Sequence, residues 1–227
     1  MTSDELLFGF FPYAAVVLAI AGTLWRGLSN RFSISSLSSQ FLETRRLFWG
    51  SVPWHYGILV ILTGHLIGFL IPRSVLAWNG EPLRLYVLEA AALAFGILTL
   101  WGLVVLIIRR ASSSRLRVVT SAMDVVLLLA LLVQIVAGLW TAIFYRWGSS
   151  WYAAVAVPYL YSLLTLNPDV SLVANLPIMV KIHILGAFVL IALLPFTRLV
   201  HFLVFPIAYL WRPYQVVIWN RKKAAGG

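Results

Sequence analysis

Five long apolar stretches limit this chain to a small set of folds. They cover about residues 6–25, 53–72, 86–108, 122–145 and 178–205, and each is long enough to cross about 30 Å of hydrocarbon. A lone strand in lipid would leave its backbone N–H and C=O groups unpaired, so each stretch is predicted to be a helix. Apolar residues make up 62% of the chain and charged residues 11%, which excludes an ordinary soluble core. We predict an all-α membrane protein, a single domain over residues 1–227.

Basic residues are sorted by connection, and this sorting predicts the orientation. The connections after the first, third and fifth stretches hold most of them: Arg26, Arg31, Arg45, Arg46, Arg109, Arg110, Arg115, Arg117, Arg212, Arg221, Lys222 and Lys223. By the positive-inside rule the N-terminus lies outside and the C-terminus in the cytoplasm, as in a bacterial or archaeal inner membrane. A net charge of +10 sorted in this way does not indicate a nucleic-acid partner. The first stretch lacks a basic n-region and a cleavage motif, so we expect a retained helix.

Two connections are long enough to have roles of their own. The inner one, residues 27–50, is either a surface helix that docks a partner or a solvated loop. The outer one, residues 146–177, is rich in Trp and Tyr, which suits an interfacial helix, a lid at headgroup level or a plain aromatic belt. The chain has no cysteine, so an iron–sulfur cluster would have to sit on another subunit.

All four histidines of the chain lie inside apolar stretches, where a titratable side chain marks a cofactor, ion or proton site. His55 and His65 are about 15 Å apart along one helix, and His183 and His201 about 27 Å apart along another, so neither same-helix pair can hold one metal. The second and fifth helices run in opposite directions. Antiparallel packing therefore predicts two cross-helix pairs, His55 with His201 and His65 with His183.

Two facing imidazoles suit the axial positions of haem iron, and they leave no open site for O₂. A single membrane histidine is more often a packed or proton-relay residue, but two matched pairs favour two haems between the second and fifth helices. Arg198 and Arg73 are candidate propionate partners, or they simply extend to the interface. Small residues beside the histidines would admit a flat macrocycle or would only pack helices: Gly57, Gly64, Gly68 and Gly186.

Two segments carry a family resemblance that extends over nearly the whole chain. Residues 53–78 read PWHYGILVILTGHLIGFLIPRSVLAW, and residues 181–217 read KIHILGAFVLIALLPFTRLVHFLVFPIAYLWRPYQVV. They contain H-x-G-I-L…G-H and K-x-H-x-x-x-G…PF-T-R-L-x-H, and DVVLLLALLVQIVAGL resembles the family's fourth helix. In these motifs the chain resembles the gamma subunit of respiratory nitrate reductase, a membrane cytochrome b.

This resemblance implies an electron-transfer subunit with two b haems as cofactors. His65 and His183 would hold the distal haem, and His55 and His201 the proximal one. Such a subunit oxidises quinol near the outer face and passes electrons to an iron–sulfur beta subunit and a molybdenum-containing alpha subunit on the cytoplasmic face. The chain would thus be one subunit of an enzyme complex, with no nitrate site of its own.

The resemblance also implies a quinol site beside the distal haem. It would contain Gly64, His65 and a basic residue in the loop before the third helix, here Arg84. The best-known members have lysine there, and arginine keeps the charge but presents a planar fork that does not readily deprotonate. Glu89, about one turn into the third helix, is added as a candidate proton acceptor, with a hydrogen bond to a neighbouring helix as the alternative.

Other functions fit the sequence less well. A related gamma subunit could serve nitrite oxidation, another oxyanion reductase or a sulfur-metabolism complex, with electron flow reversed in some cases. A haem-free, histidine-dependent proton or ion transporter would need broken helices or inverted repeats, and the sequence shows no repeat. A purely structural anchor would leave the four histidines unexplained.

Overall fold

The computed structural model describes residues 2–29 and 45–203, and within these ranges the chain forms helices and no strand. Five helical segments are long and apolar enough to cross a membrane: Glu5–Ser29, Leu47–Leu70, Pro82–Ser112, Ala122–Phe144 and Ile178–Phe196. The prediction of an all-α protein with five spans is confirmed at this level. Most of the inner connection, the C-terminal basic residues and the end of the second resemblance motif lie outside the described residues.

The elements follow one another along the chain with short connections. A π-helical turn, Glu5–Phe10, leads into α1. The helices are α1 (Phe11–Ser29), α2 (Arg45–Leu70), α3 (Pro72–Asn79), α4 (Pro82–Ser112), α5 (Ser114–Val118), α6 (Ala122–Phe144), α7 (Gly148–Trp151), α8 (Val157–Leu164), α9 (Ser171–Ala174) and α10 (Ile178–Leu193). A π-helical turn, Tyr152–Ala156, joins α7 to α8, and two 3₁₀ turns, Leu194–Phe196 and Arg198–Leu203, follow α10.

Prolines set two helix starts that hydropathy alone placed wrongly. Pro72 and Pro82 begin α3 and α4, where a missing N–H costs nothing because the first turn has no acceptor for it. Arg84, expected in a loop, therefore lies in the first turn of α4. Arg73, expected at the end of the second span, lies in the separate helix α3.

The last span is broken where one helix over 178–205 was predicted. α10 ends at Leu193, because Pro195 supplies no N–H to continue it, and Thr197 is extended at φ −124° and ψ −178°. Arg26, at the end of α1, donates from one guanidinium nitrogen to the carbonyls of Pro195 and Thr197, at 2.6 and 3.3 Å. The break thus has partners for carbonyls that a continuous helix would have satisfied.

The long helices pack in the order α2, α4, α6, α10 and α1. Glycines bring α2 and α4 close: a Cβ on Gly102 would lie 2.4 Å from the backbone nitrogen of Trp54, and one on Gly57 would lie 2.2 Å from Oγ1 of Thr99. α2 and α10 have no such packed interface. We call the end of the bundle that holds the close of α2 and the start of α10 the His65 end, and the opposite end the His55 end.

Candidate functional site

The histidines meet across the space between α2 and the chain of α10. The ring centroids of His65 and His183 are 6.2 Å apart with an angle of 44° between the ring planes. Those of His55 and His201 are 6.5 Å apart at 66°. The two cross-helix pairs expected from antiparallel topology are therefore the two pairs that the fold brings together.

The spacing of each pair fits one shared metal ion. Two metal–nitrogen bonds of about 2 Å, with about 1.1 Å from each nitrogen to its ring centroid, place two opposed imidazole centroids about 6 Å apart. A direct nitrogen-to-nitrogen hydrogen bond of about 2.9 Å would bring the centroids to about 5 Å. Both observed separations match the first value. With the unpacked space between α2 and α10, they fit a metal held by imidazoles from the two sides.

All four Nδ1 atoms are already engaged with backbone carbonyls. His55 pairs with Ser51 O at 2.7 Å, His65 with Ile61 O at 2.8 Å, His183 with Gln134 O at 2.9 Å, and His201 with Arg198 O at 2.5 Å. A carbonyl only accepts, so each Nδ1 carries the proton and donates. This tautomer leaves Nε2 with a free lone pair, as in histidines whose second nitrogen is fixed by a partner while the first binds metal.

The surroundings of the His65–His183 pair come from distant parts of the chain. Gly138 of α6 faces the imidazole of His183, and a Cβ there would lie 2.7 Å from its Cε1. The ring of Tyr152 stands edge-on to the imidazole of His65, with centroids 5.2 Å apart, and the Tyr152 hydroxyl donates to the His65 carbonyl at 3.0 Å. Both imidazoles are thus restrained by neighbours other than each other.

The His55–His201 pair lies beside an ionic cluster. Asp124, at the start of α6, is only 6% exposed and accepts from Arg198 through both oxygens, at 2.6 and 3.1 Å. Arg110 donates to the same carboxylate at 3.0 Å. Asp124 also forms a capping box with Ser121, which starts α6. Arg198, a predicted propionate partner, therefore has Asp124 as a protein partner, and its own carbonyl orients His201.

The glycines beside the histidines divide between the two expected roles. Gly57 packs against α4, Gly68 receives the ring of Tyr152, and Gly186 faces Oε1 of Gln134, so these three make close protein contacts. Gly64 is different, because a Cβ there would meet no atom within 4 Å. It borders an open apolar groove of about 340 Å³ that is lined by Leu59, Val60, Thr63, Gly64 and Ile67.

The other candidate quinol residues lie near the His65 end but in separate contacts. Arg84 is exposed, and its guanidinium stacks over the Trp78 ring at 5.0 Å from the centroid. Oε1 of Glu89 accepts from the backbone and the hydroxyl of Ser149, at 2.8 and 2.6 Å. The hydrogen bond to a neighbouring element, given above as the alternative role of Glu89, is thus present. Arg73 is exposed in α3.

The outer connection packs onto the bundle instead of lying apart as a belt. Hydroxyls of three tyrosines donate to carbonyls of other elements: Tyr152 to His65, Tyr161 to Phe69 at 2.5 Å, and Tyr159 to Phe8 at 2.7 Å. Burial raises the pKa of Tyr152 to about 12, with Tyr161 as a smaller cause, and burial likewise raises the pKa of Tyr159. These hydroxyls therefore remain protonated donors at physiological pH.

Three contributors near the histidines were not singled out from the sequence. Gln134 and Asp124 carry a signal, because each is a lone polar side chain in a strongly apolar helix, and Ser121-x-x-Asp124 is a capping pattern. Tyr152 was grouped only with the other aromatic residues of its connection. Its contact with His65 joins positions 87 residues apart, which local sequence patterns do not reveal.

Comparison with known proteins gives one consistent family. A family model for the nitrate reductase gamma subunit matches residues 4–220. A nitrate reductase gamma chain of Bacillus subtilis (strain 168) is 35% identical over 218 residues, which cover 94% of this chain and 97% of that one. The respiratory nitrate reductase 1 gamma chain of Escherichia coli (strain K12) is 31% identical over 94% of this chain and 96% of its own length.

A longer protein contains a similar segment. A nitrate reductase-like protein of Mycobacterium tuberculosis is 36% identical over 93% of this chain, and the match covers 33% of that protein. The similarity thus extends over nearly all of the present chain in each case.

Proposed function

Since this chain belongs to the nitrate reductase gamma subunit family, and so is a membrane electron-transfer subunit of a nitrate reductase complex, we propose that it is a dihaem cytochrome b that oxidises quinol. Two b haems would be its cofactors. His65 and His183 would hold the distal haem, and His55 and His201 the proximal haem. The terminal substrate would be reduced on another subunit.

One observation carries this proposal: two histidine pairs with the spacing of a shared metal, each with Nδ1 protonated and Nε2 available. Pairs that merely packed together or relayed protons would have no need for four matching tautomers. When bound, each haem would supply a one-electron redox centre without an open coordination site. The protein's part is to fix the imidazoles, separate the two sites and exclude water between them.

The charge distribution supports an orientation for this electron flow. Described basic residues at the His55 end include Arg26, Arg109, Arg110, Arg115 and Arg117. By the positive-inside rule that end faces the cytoplasm, which places the N-terminus in the periplasm. An iron–sulfur beta subunit and a molybdenum alpha subunit would then dock at the His55 end. Quinol would be oxidised at the His65 end and would release its protons outward.

For the quinol site, the open face beside Gly64 is the supporting feature. The groove next to His65 is apolar, as a quinone ring requires, and nothing fills the space over Gly64. Arg84, one short helix away, would supply a cationic donor to the quinol oxygen, since its stacking on Trp78 leaves its N–H groups exposed. Glu89 would accept a proton at the edge of this site.

A pyridine haemochrome assay on the purified complex tests the haem assignment. We expect two b haems per gamma chain, both reduced on addition of a menaquinol or ubiquinol analogue. A haem content below two, or haems that quinol does not reduce, would refute the proposed function.

Arg84→Ala tests the quinol site separately. We expect two haems as in the native complex, but reduction by quinol slowed about tenfold or more, the effect of losing one charge-assisted hydrogen bond. Arg84→Lys should restore most of the rate. The matched control is Arg115→Ala at the His55 end, which should leave quinol reduction of the haems unchanged. Equal rates for Arg84→Ala and the native complex would remove Arg84 from the site.

A further inference from the structure

Tyr152 is joined to His65 in two ways. Its hydroxyl donates to the His65 carbonyl at 3.0 Å, and its ring stands edge-on to the imidazole at 69° with centroids 5.2 Å apart. This edge-to-face geometry is favourable for aromatic pairs in the 4.5–7 Å range. The same side chain therefore touches both the backbone and the ring of one proposed haem ligand.

The contact depends on a missing side chain one turn further along α2. A Cβ on Gly68 would lie 2.8 Å from Cε1 and 3.0 Å from Cδ1 of Tyr152. The Tyr152 ring thus rests directly on the backbone of α2, which fixes its height beside His65. Between Tyr152 on one side and the Nδ1 bond to Ile61 O on the other, the imidazole of His65 has little freedom to rotate about its Cβ–Cγ bond.

On the basis of the proposed function, we infer that Tyr152 is a positioning residue for the distal haem: it sets the imidazole orientation of His65 and so links the outer connection to that haem's electronic state. Orientation of axial imidazoles and the hydrogen bonds around them are among the means by which a protein tunes a haem. His55 has no corresponding aromatic neighbour among the described ring contacts apart from His201.

Tyr161 provides an internal control for this inference. It also belongs to the outer connection, and its hydroxyl also donates to a carbonyl of α2, that of Phe69, four residues beyond His65. Its ring contacts Phe69, with centroids 5.0 Å apart, and no histidine. Tyr152 and Tyr161 thus attach the same segment to the same helix, but only Tyr152 touches a proposed ligand.

The experiment compares three variants of the intact complex in membranes: Tyr152→Leu, Tyr152→Phe and Tyr161→Phe. Haem content is measured by pyridine haemochrome, the low-spin signals of the two haems by electron paramagnetic resonance, and their midpoint potentials by redox titration. His65→Ala identifies which signal belongs to the distal haem. Tyr152→Phe keeps the ring, so it serves if the leucine variant fails to assemble.

We expect Tyr152→Leu to shift the distal signal and potential, or to lose the distal haem alone, with the proximal haem unchanged. Tyr152→Phe should shift the distal signal in the same direction but less, and Tyr161→Phe should leave both signals as in the native complex. The inference is overturned if both haems respond equally, if Tyr161→Phe matches Tyr152→Phe, or if neither Tyr152 variant alters a fully loaded distal haem. Absence of haem from the native complex would instead refute the proposed function.

Discussion

The two histidine pairs have nearly the same spacing but are held in different ways. At the His65 end, His183 donates to a carbonyl 49 residues away in α6, and His65 is braced by Tyr152 from 87 residues away. At the His55 end, each Nδ1 donates to a carbonyl three or four residues earlier, and the nearby long-range contacts are ionic, from Asp124 to Arg198 and Arg110.

This difference shows where each pair is vulnerable. Packing between distant elements positions the outer pair, so changes in side-chain volume should disturb it most. Local hydrogen bonds and a buried carboxylate position the inner pair, so changes of charge should disturb that one. The following four predictions test this contrast, from the largest expected effect to the smallest.

Removal of one ligand should separate the two sites completely. His183→Ala takes away one axial imidazole at the His65 end, and we expect the haem content to fall from two per chain to one. His201→Ala should remove the other haem and keep the first. Haemochrome content and the surviving spectral signal are the measurements. Loss of both haems in both variants would mean that the two sites form as a unit.

Asp124→Ala should act mainly at the His55 end. It leaves two guanidinium groups without their carboxylate and removes the α6 cap, at a cost of about 2–4 kcal/mol, somewhat below a fully buried pair because both arginines are partly exposed. We expect a lower thermal midpoint and a weakened or shifted proximal haem.

The matched control for that change is Asp169→Asn, since Asp169 is an exposed carboxylate bonded only to nearby Ser171 in the outer connection. It should leave the thermal midpoint and both haems as they are. If Asp124→Ala altered the distal haem more than the proximal one, the ionic account of the inner pair would be wrong.

Gly138→Ala should act at the His65 end through volume alone. The added methyl would lie 2.7 Å from His183, and relieving that overlap should cost about 1–3 kcal/mol and displace the imidazole. We expect a shifted or partly lost distal haem, seen in redox titration. Gly64→Ala is the control for haem binding, because its methyl meets nothing within 4 Å. Equal haem retention in both variants would contradict the packing account.

Alkaline pH should have the smallest effect. The pKa of Tyr152 is raised to about 12, above the usual value of about 10, so its bond to His65 persists at neutral pH and its contribution to stability is lost only as pH rises from about 10 to about 12. The distal haem spectrum should therefore be constant between about pH 6 and about pH 9. A transition in that range that disappears in Tyr152→Phe would show that this hydroxyl ionises early.

Hydropathy predicted the spans well where apolar residues and helix boundaries coincide, as at Ala122–Phe144. It failed beyond Leu193, because the side chains stay apolar past Pro195 while the backbone no longer continues the helix. It also began the third span late, since Pro82 starts the helix before the strongly apolar residues do. Apolar composition records what lipid tolerates, whereas backbone hydrogen bonding decides where a helix ends.

For the candidate site, the opposed directions of two helices were enough to predict which histidines meet. The partners of those histidines were not predictable in the same way. Gln134, Gly138 and Tyr152 reach their positions through packing between elements distant in sequence, and Glu89 bonds to Ser149 sixty residues away. Topology constrains whole helices, whereas such contacts depend on the rotation and depth of each helix.

The break after Leu193 has a mechanical consequence. His183 lies in α10, but His201 lies beyond the extended residue Thr197, in a separate 3₁₀ turn. A continuous helix would transmit a push or twist along its axis, so that displacement of one ligand would move the other. With this joint between them, a load applied at the His55 end, such as the seating of a neighbouring subunit, is absorbed before it reaches His183.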